Sequence, residues 1–134
     1  SQEALIAHAR EAVSAVDGLA ARARARVRAS LMVDGRIDPE RLEADQHGVH
    51  GLAWLSTYVE ALRQLADYAE RLAGEGALGD AETLIVRIGF GEYLTQIFAG
   101  VPMNQGETIR PEAMGVSSSS WRTSARETPI ALGG

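Results

Sequence analysis

The run PERLEADQHGVHGLAWLSTYVEALRQLADYAERLA, residues 39–73, has the spacing of a helix and of nothing else. Leu52, Leu55, Val59, Leu62, Ala66 and Ala69 follow one another in steps of three and four, which places them on one face of a helix and on no common face of a strand. The run also carries its own boundaries. Asp38 suits the N-cap, Pro39 the first helical position and Glu40 the positive first turn; Arg71 falls in the last turn, and Gly74 and Gly76 follow it. One long helix from Pro39 to about Ala73 is therefore expected. Burying its seam contributes about 1.5–3 kcal/mol for each large apolar side chain. Most of that is offset by the chain entropy lost on ordering, so the helix needs partners.

N-terminal to this run, residues 2–32 form a second helical candidate, with Leu5, Ile6, Ala9, Ala12, Val13, Val16, Leu19 and Ala20 as its stripe. Gly18 lies within it, costs about 1 kcal/mol relative to Ala, and marks where a kink would fall. Between the two helices Val33–Ile37 reads as a turn through Asp34-Gly35. C-terminal to the central run, residues 74–79 (GEGALG) form a short loop, which makes the next helix antiparallel to the central one.

Asp80 is placed to cap a third helix, from Ala81 to about Ala99. There Leu84, Ile85, Ile88, Gly91, Leu94, Thr95 and Phe98 share a side that Ile97 broadens. Gly89 and Gly91 weaken a helix interior, and close approach of a neighbouring backbone is the expected reason for them. They do not make a dinucleotide fingerprint, because no third glycine follows and the pair lies within a helix. Gly100 and Pro102 end this helix, and residues 101–134 show no sustained period. Ser117 to Ser120, Pro129 and the final Gly-Gly read as linker, with Trp121 either an anchor or exposed. The expectation is an all-α fold: an antiparallel bundle of three principal helices spanning 1–110, then an irregular linker or tail over 111–134. The apolar surface of the central helix exceeds what two such neighbours cover, so self-association is expected.

Composition narrows the function classes. At 134 residues the chain fits one domain. Aromatic residues are 5% and alanine is abundant, which favours close-packed helices over a β-sandwich. The net charge of −5 provides no global basic field for nucleic acid. Cysteine is absent, which removes disulfides, thiolate chemistry and cysteine-based zinc sites. No run of 18 or more apolar residues suggests a membrane span, and the N-terminus lacks the pattern of a signal peptide, so a cytoplasmic protein is expected. The chain starts Ser-Gln-Glu without Met, as a processed or trimmed chain does.

Three groups of residues are candidates for chemistry. Glu43, Gln46, His47 and His50 lie on or near one face of the central helix, and Glu43, His47 and His50 have the residue types of a metal site. Such a site needs further ligands from a facing helix, where His8 and scattered carboxylates are the candidates. The alternative puts both histidines beside Gly48 and Gly51 at a helix crossing, bonded to backbone or solvent. Glu60 and Glu92 border apolar stripes, as a general acid or base with a raised pKa does, and as a carboxylate paired with an arginine also does. Arg22, Arg24, Arg26 and Arg28 form a basic cluster suited to a phosphate-bearing ligand or an acidic partner, or else a solvated helix surface. Trp54, Tyr58, Tyr68, Phe90, Tyr93 and Phe98 are expected in the core or at an interface.

Two longer strings carry a more specific signal: HGVHGLAWLSTYVEALRQLADYAERL and IGFGEYLTQIFAGVPMNQGETIRP. Their motifs HGLAW, TYVEALRQ, GFGEYL and PMNQGE resemble the helical N-terminal extension of acyl-CoA dehydrogenases of the methylsuccinyl-CoA dehydrogenase type, over roughly residues 34–115. The resemblance implies a flavoprotein parent that uses FAD to remove hydrogens from Cα and Cβ of a branched acyl-CoA and passes electrons to electron-transferring flavoprotein. The catalytic glutamate and the FAD-binding segments of that family belong to a body for which 134 residues leave no room. No such role is carried onto Glu60, Glu92 or any other position here. The implied role is a non-catalytic accessory or oligomerisation domain without a cofactor of its own, whose partner is a catalytic body or a second copy. A stand-alone helical binder of an apolar or acyl ligand, and a metal-binding bundle, remain as other readings.

Overall fold

Both long periodic runs are helical in the computed structural model, which describes residues 1–99 in full and the backbone of residues 101–104 and 107–109. In chain order the elements are α1 (Gln2–Leu31), a hairpin of β1 (Met32–Val33) and β2 (Arg36–Ile37), α2 (Pro39–Ala44), α3 (Gln46–Gly74), α4 (Asp80–Ala99), and a second hairpin of β3 (Val101–Asn104) and β4 (Glu107–Ile109). The architecture is predominantly all-α, with four helices among the described residues.

α1 passes through Gly18 without a break and buries Leu5, Ala9, Ala12, Val13, Val16, Leu19 and Ala20, as its spacing predicts. The stripe continues through Ala23, Val27 and Leu31, and Ile6 is half-buried. Asp34 (φ 49°) and Gly35 (φ 78°) then form the two-residue turn of the first hairpin. Positive φ at both positions is the signature of a type I′ turn, which matches the twist of the strands it joins.

The central run is not one helix. At Asp45 (φ −110°, ψ 34°) the chain leaves helical geometry and divides into α2 and α3. The N–H of Asp45 still donates to the Arg41 carbonyl and the N–H of Val49 to the Asp45 carbonyl, so the break is a bend and not a loop. Two local facts account for it. α2 buries no residue, so no packing holds it in line with α3. The Asp45 carboxylate also lies 2.7 Å from where a Cβ on Gly48 would stand and accepts a bond from Ser30 Oγ near the end of α1 (3.5 Å). Glycine at 48 leaves that space open. The N-cap itself is as expected, with the Asp38 side chain accepting from the Arg41 N–H.

α1 and α3 run antiparallel, as their pairings show. Gln2 donates to the Leu78 carbonyl, Arg10 pairs with Asp67 (2.8 Å) and Glu70, and Arg63 pairs with Asp17 (2.7 Å). These ion pairs are exposed and add about 0–1 kcal/mol each. The seam between them carries the stability: Leu55, Val59, Leu62, Ala66 and Ala69 of α3 are buried with the stripe of α1. Alanines on both helices allow a close approach of the axes.

α3 ends in a Schellman motif. Ala77 N–H donates to the Leu72 carbonyl and Gly76 N–H to the Ala73 carbonyl, with Gly76 at φ +68°. Leu78 is buried directly after it, which fixes the reversal into α4. Asp80 is not the cap of α4. Gly79 takes that place: its carbonyl accepts from Thr83 N–H and its own N–H donates to the Glu82 carboxylate (3.1 Å). Such a reach-back from the third helical position is half of a capping box.

The buried side of α4 is only partly the expected one, with which it shares Leu94 and Ile97. Val86, Phe90, Leu94 and Ile97 are buried against α3, whereas Leu84, Ile85 and Ile88 are 57%, 54% and 56% exposed. α4 is apolar on both sides, so its period alone does not say which side is covered. Gly89 lies against α3, with Leu65 Cδ2 2.5 Å from where a Cβ would stand. The close neighbour is thus a side chain and not backbone, and no described atom lies near Gly91 in this way.

Residues 101–109, which show no sustained period in the sequence, contain the β3–β4 hairpin, which pairs Val101 with Ile109 and Pro102 with Thr108 and packs on α3 and α4. Strand pairing between two short segments needs a turn and not a long alternating run, which is why periodicity did not reveal it. The linker expected over 111–134 lies outside the described residues.

Candidate functional site

A groove of about 340 Å³ runs along α3, lined among the described residues by His50, Ala53, Trp54 and Thr57. These positions are i, i+3, i+4 and i+7, so a helix presents them as a single strip. Thr57 Oγ1 donates to the Ala53 carbonyl (3.0 Å), leaving its lone pairs as acceptors. Trp54 is 40% exposed and provides the largest apolar surface of the strip.

From the groove a chain of aromatic contacts leads to α4. Trp54 meets Tyr58 edge-on with ring centroids 6.3 Å apart, and Tyr58 meets Tyr93 of α4 at 5.2 Å and 60°. Such edge-to-face contacts add about 0.5–1.5 kcal/mol beyond the area they bury. Burial, and then the neighbouring Tyr93, push the Tyr58 phenol above its usual pKa, so it stays protonated and acts only as a donor or acceptor. The site therefore offers an apolar wall with an imidazole and a hydroxyl at its rim. Chemically it can hold a small apolar or aromatic group.

The metal constellation is divided by the bend. Glu43 lies on α2, whereas His47 and His50 lie on α3 beyond Asp45, and all three are exposed along with Gln46. Among the described residues no group of three or more His, Asp or Glu comes together as a metal site. His8 is half-buried on α1. Of these metal candidates, His50 is the one that lines the groove among the described residues.

Glu60 sits in an ion-pair network. Gln64 donates to it (3.0 Å), and Arg63, one turn away, bridges it to Asp17 of α1. The Gln64 bond, and then the Arg63 bond, hold the Glu60 carboxyl below its usual pKa. A base that is exposed, paired and kept ionised serves surface structure. Glu92 is exposed on α4, beside Leu84, Ile85 and Ile88 by helical phase.

No family model matches the sequence. Over 112 residues, 84% of this chain, the sequence is 43% identical to (2S)-methylsuccinyl-CoA dehydrogenase from Cereibacter sphaeroides. The chain resembles part of an acyl-CoA dehydrogenase. It spans about a fifth of that enzyme's length (20%), consistent with the N-terminal extension that the sequence motifs point to.

That similarity bears on the cofactor such enzymes imply. A flavin dinucleotide needs a glycine-rich turn at a helix N-terminus or a comparable cradle for its pyrophosphate. Among the described residues, Gly89 and Gly91 lie inside α4, and the N-termini of α1, α2 and α4 are occupied by Ser1, Asp38 and Glu82. At the N-terminus of α3, which has no side-chain cap, the Asp45 carboxylate lies against Gly48, so none of these four helix starts presents a free glycine-rich cradle. Arg22, Arg24, Arg26 and Arg28 are all exposed and belong to none of the ion pairs among the described residues. Sequence reasoning did not single out Ala53 and Thr57. The only local signal for them is the HxxAWxxT spacing, read once His50 and Trp54 are known to share a strip.

Proposed function

We propose that this chain is a non-catalytic helical accessory domain working with the catalytic body of an FAD-dependent acyl-CoA dehydrogenase, whose reaction is α,β-dehydrogenation of a branched acyl-CoA such as methylsuccinyl-CoA. The observation that supports the reading is the 43% identity across 84% of this chain, confined to 20% of the enzyme it matches. FAD and the catalytic base belong to the body, and the helices contribute assembly. The test is native purification with intact mass and an absorbance spectrum. Co-purification with a yellow flavoprotein active on methylsuccinyl-CoA is the expected result. A colourless chain that emerges alone counts against it.

The groove on α3 favours a second reading, a helical binder of an apolar or acyl ligand at His50, Ala53, Trp54 and Thr57. Native mass spectrometry separates the two, since a stoichiometric small molecule on the isolated chain is expected only from the second.

A further inference from the structure

An exposed arginine is at ease in water, but an exposed isoleucine is not. By that measure the surface most in need of a partner among the described residues is the side of α4 turned from α3. Leu84, Ile85 and Ile88, each more than half exposed, lie within two turns, and Ala81, Glu92 and Thr95 extend the same strip. Glu92 is its one charged group, and no described residue pairs with it. A helix apolar on all sides is ordinarily enclosed on all sides. Here α3 and the β3–β4 hairpin contact α4, yet Leu84, Ile85 and Ile88 stay exposed.

We propose that this outer face of α4 is the seat of the acyl-CoA dehydrogenase catalytic body, which meets it with an apolar strip bordered by a cation opposite Glu92. The proposal rests on the functional reading above and specifies its surface. Two observations favour this occupant over a second copy of the chain. Three half-exposed aliphatic side chains offer far less than the roughly 800 Å² per partner that a free, stable association uses. A tethered partner needs much less, because the tether holds it at an effective concentration in the millimolar range. In the Cereibacter sphaeroides enzyme the similar stretch is a fifth of a continuous chain, so the body is tethered to it.

The experiment grafts this chain in place of the matched stretch of that enzyme. Hydroxyl-radical footprinting, read by mass spectrometry, then compares the 134-residue chain with the chimera. The expected result is an active, flavin-loaded chimera in which oxidation of Leu84, Ile85 and Ile88 falls several-fold. Ile88→Glu is expected to leave the fold of the 134-residue chain unchanged and to restore oxidation of Leu84 and Ile85 in the chimera. An active chimera without protection overturns the docking surface and leaves the functional reading standing. Protection that appears in the 134-residue chain as its concentration rises assigns the face to a second copy and overturns the proposal. A chimera without flavin or activity overturns the functional reading and the docking surface with it.

Discussion

α1 and α4 both pack on α3, yet they do so under different constraints. α1 has one stripe of large apolar residues, from Leu5 to Leu31, with mainly charged, polar and alanine residues elsewhere, and the fold buries that stripe. α4 has apolar residues on both sides and buries only Val86, Phe90, Leu94 and Ile97. A single stripe specifies its own contact; a double one leaves the choice to the neighbour. The ends of the two seams differ as well. Ion pairs of Arg10 and Arg63 border the seam of α1 on α3, whereas Gly89 against Leu65 and Tyr93 against Tyr58 lie in that of α4.

The sharpest test of this contrast lies within α4. Phe90→Ala removes a fully buried ring and is expected to cost about 3–5 kcal/mol in denaturant unfolding. Ile88→Ala, two residues away but on the exposed side, is expected to stay within about 0.5 kcal/mol. Comparable costs at the two positions in dilute protein would show that the outer side is already covered.

Glycines provide a finer comparison. Gly18→Ala in α1 meets only Arg22 Nη1 at an ordinary 3.5 Å, so the gain in helix propensity is expected to raise stability by about 0.5–1 kcal/mol. Gly89→Ala in α4 is expected to lose that gain, because its methyl group must displace the end of Leu65. If Gly89→Ala stabilises as much as Gly18→Ala, the approach of α3 and α4 at that point is not tight.

The smallest expected effect is electrostatic. Glu60 is held below its usual pKa by Gln64 and Arg63, so the unfolded chain binds its proton more readily than the folded one. Its contribution is present above the unfolded pKa, about 4.5, and is lost as pH falls through the lower folded value. Glu60→Gln is expected to flatten the acid side of the stability profile slightly, because the group is exposed and screened. A change near neutral pH instead would point to another titrating group.

Much of this was legible in the residues. The α1 stripe, the Asp34-Gly35 turn, the Asp38 cap and the glycine stop after Arg71 rest on spacing and turn chemistry within a few residues of each position. The bend at Asp45 was not legible, because a sound N-cap and continuing helical composition conceal that residues 39–44 bury nothing. In the candidate site, His50 and Trp54 stood out by type. The link from Arg63 to Asp17 joins residues 46 apart in the chain, which no local pattern reveals.

Amino-acid order alone therefore established the long helical runs, the Asp38 cap and the turns between them, since those depend on the 3.6-residue period and on backbone preferences that act over one turn. Packing chose which side of α4 is covered, where the central run bends, and that Glu60 belongs to an ion-pair network. Those outcomes depend on what distant segments bring alongside, and a double-sided apolar helix or an isolated carboxylate carries no local mark of its neighbour.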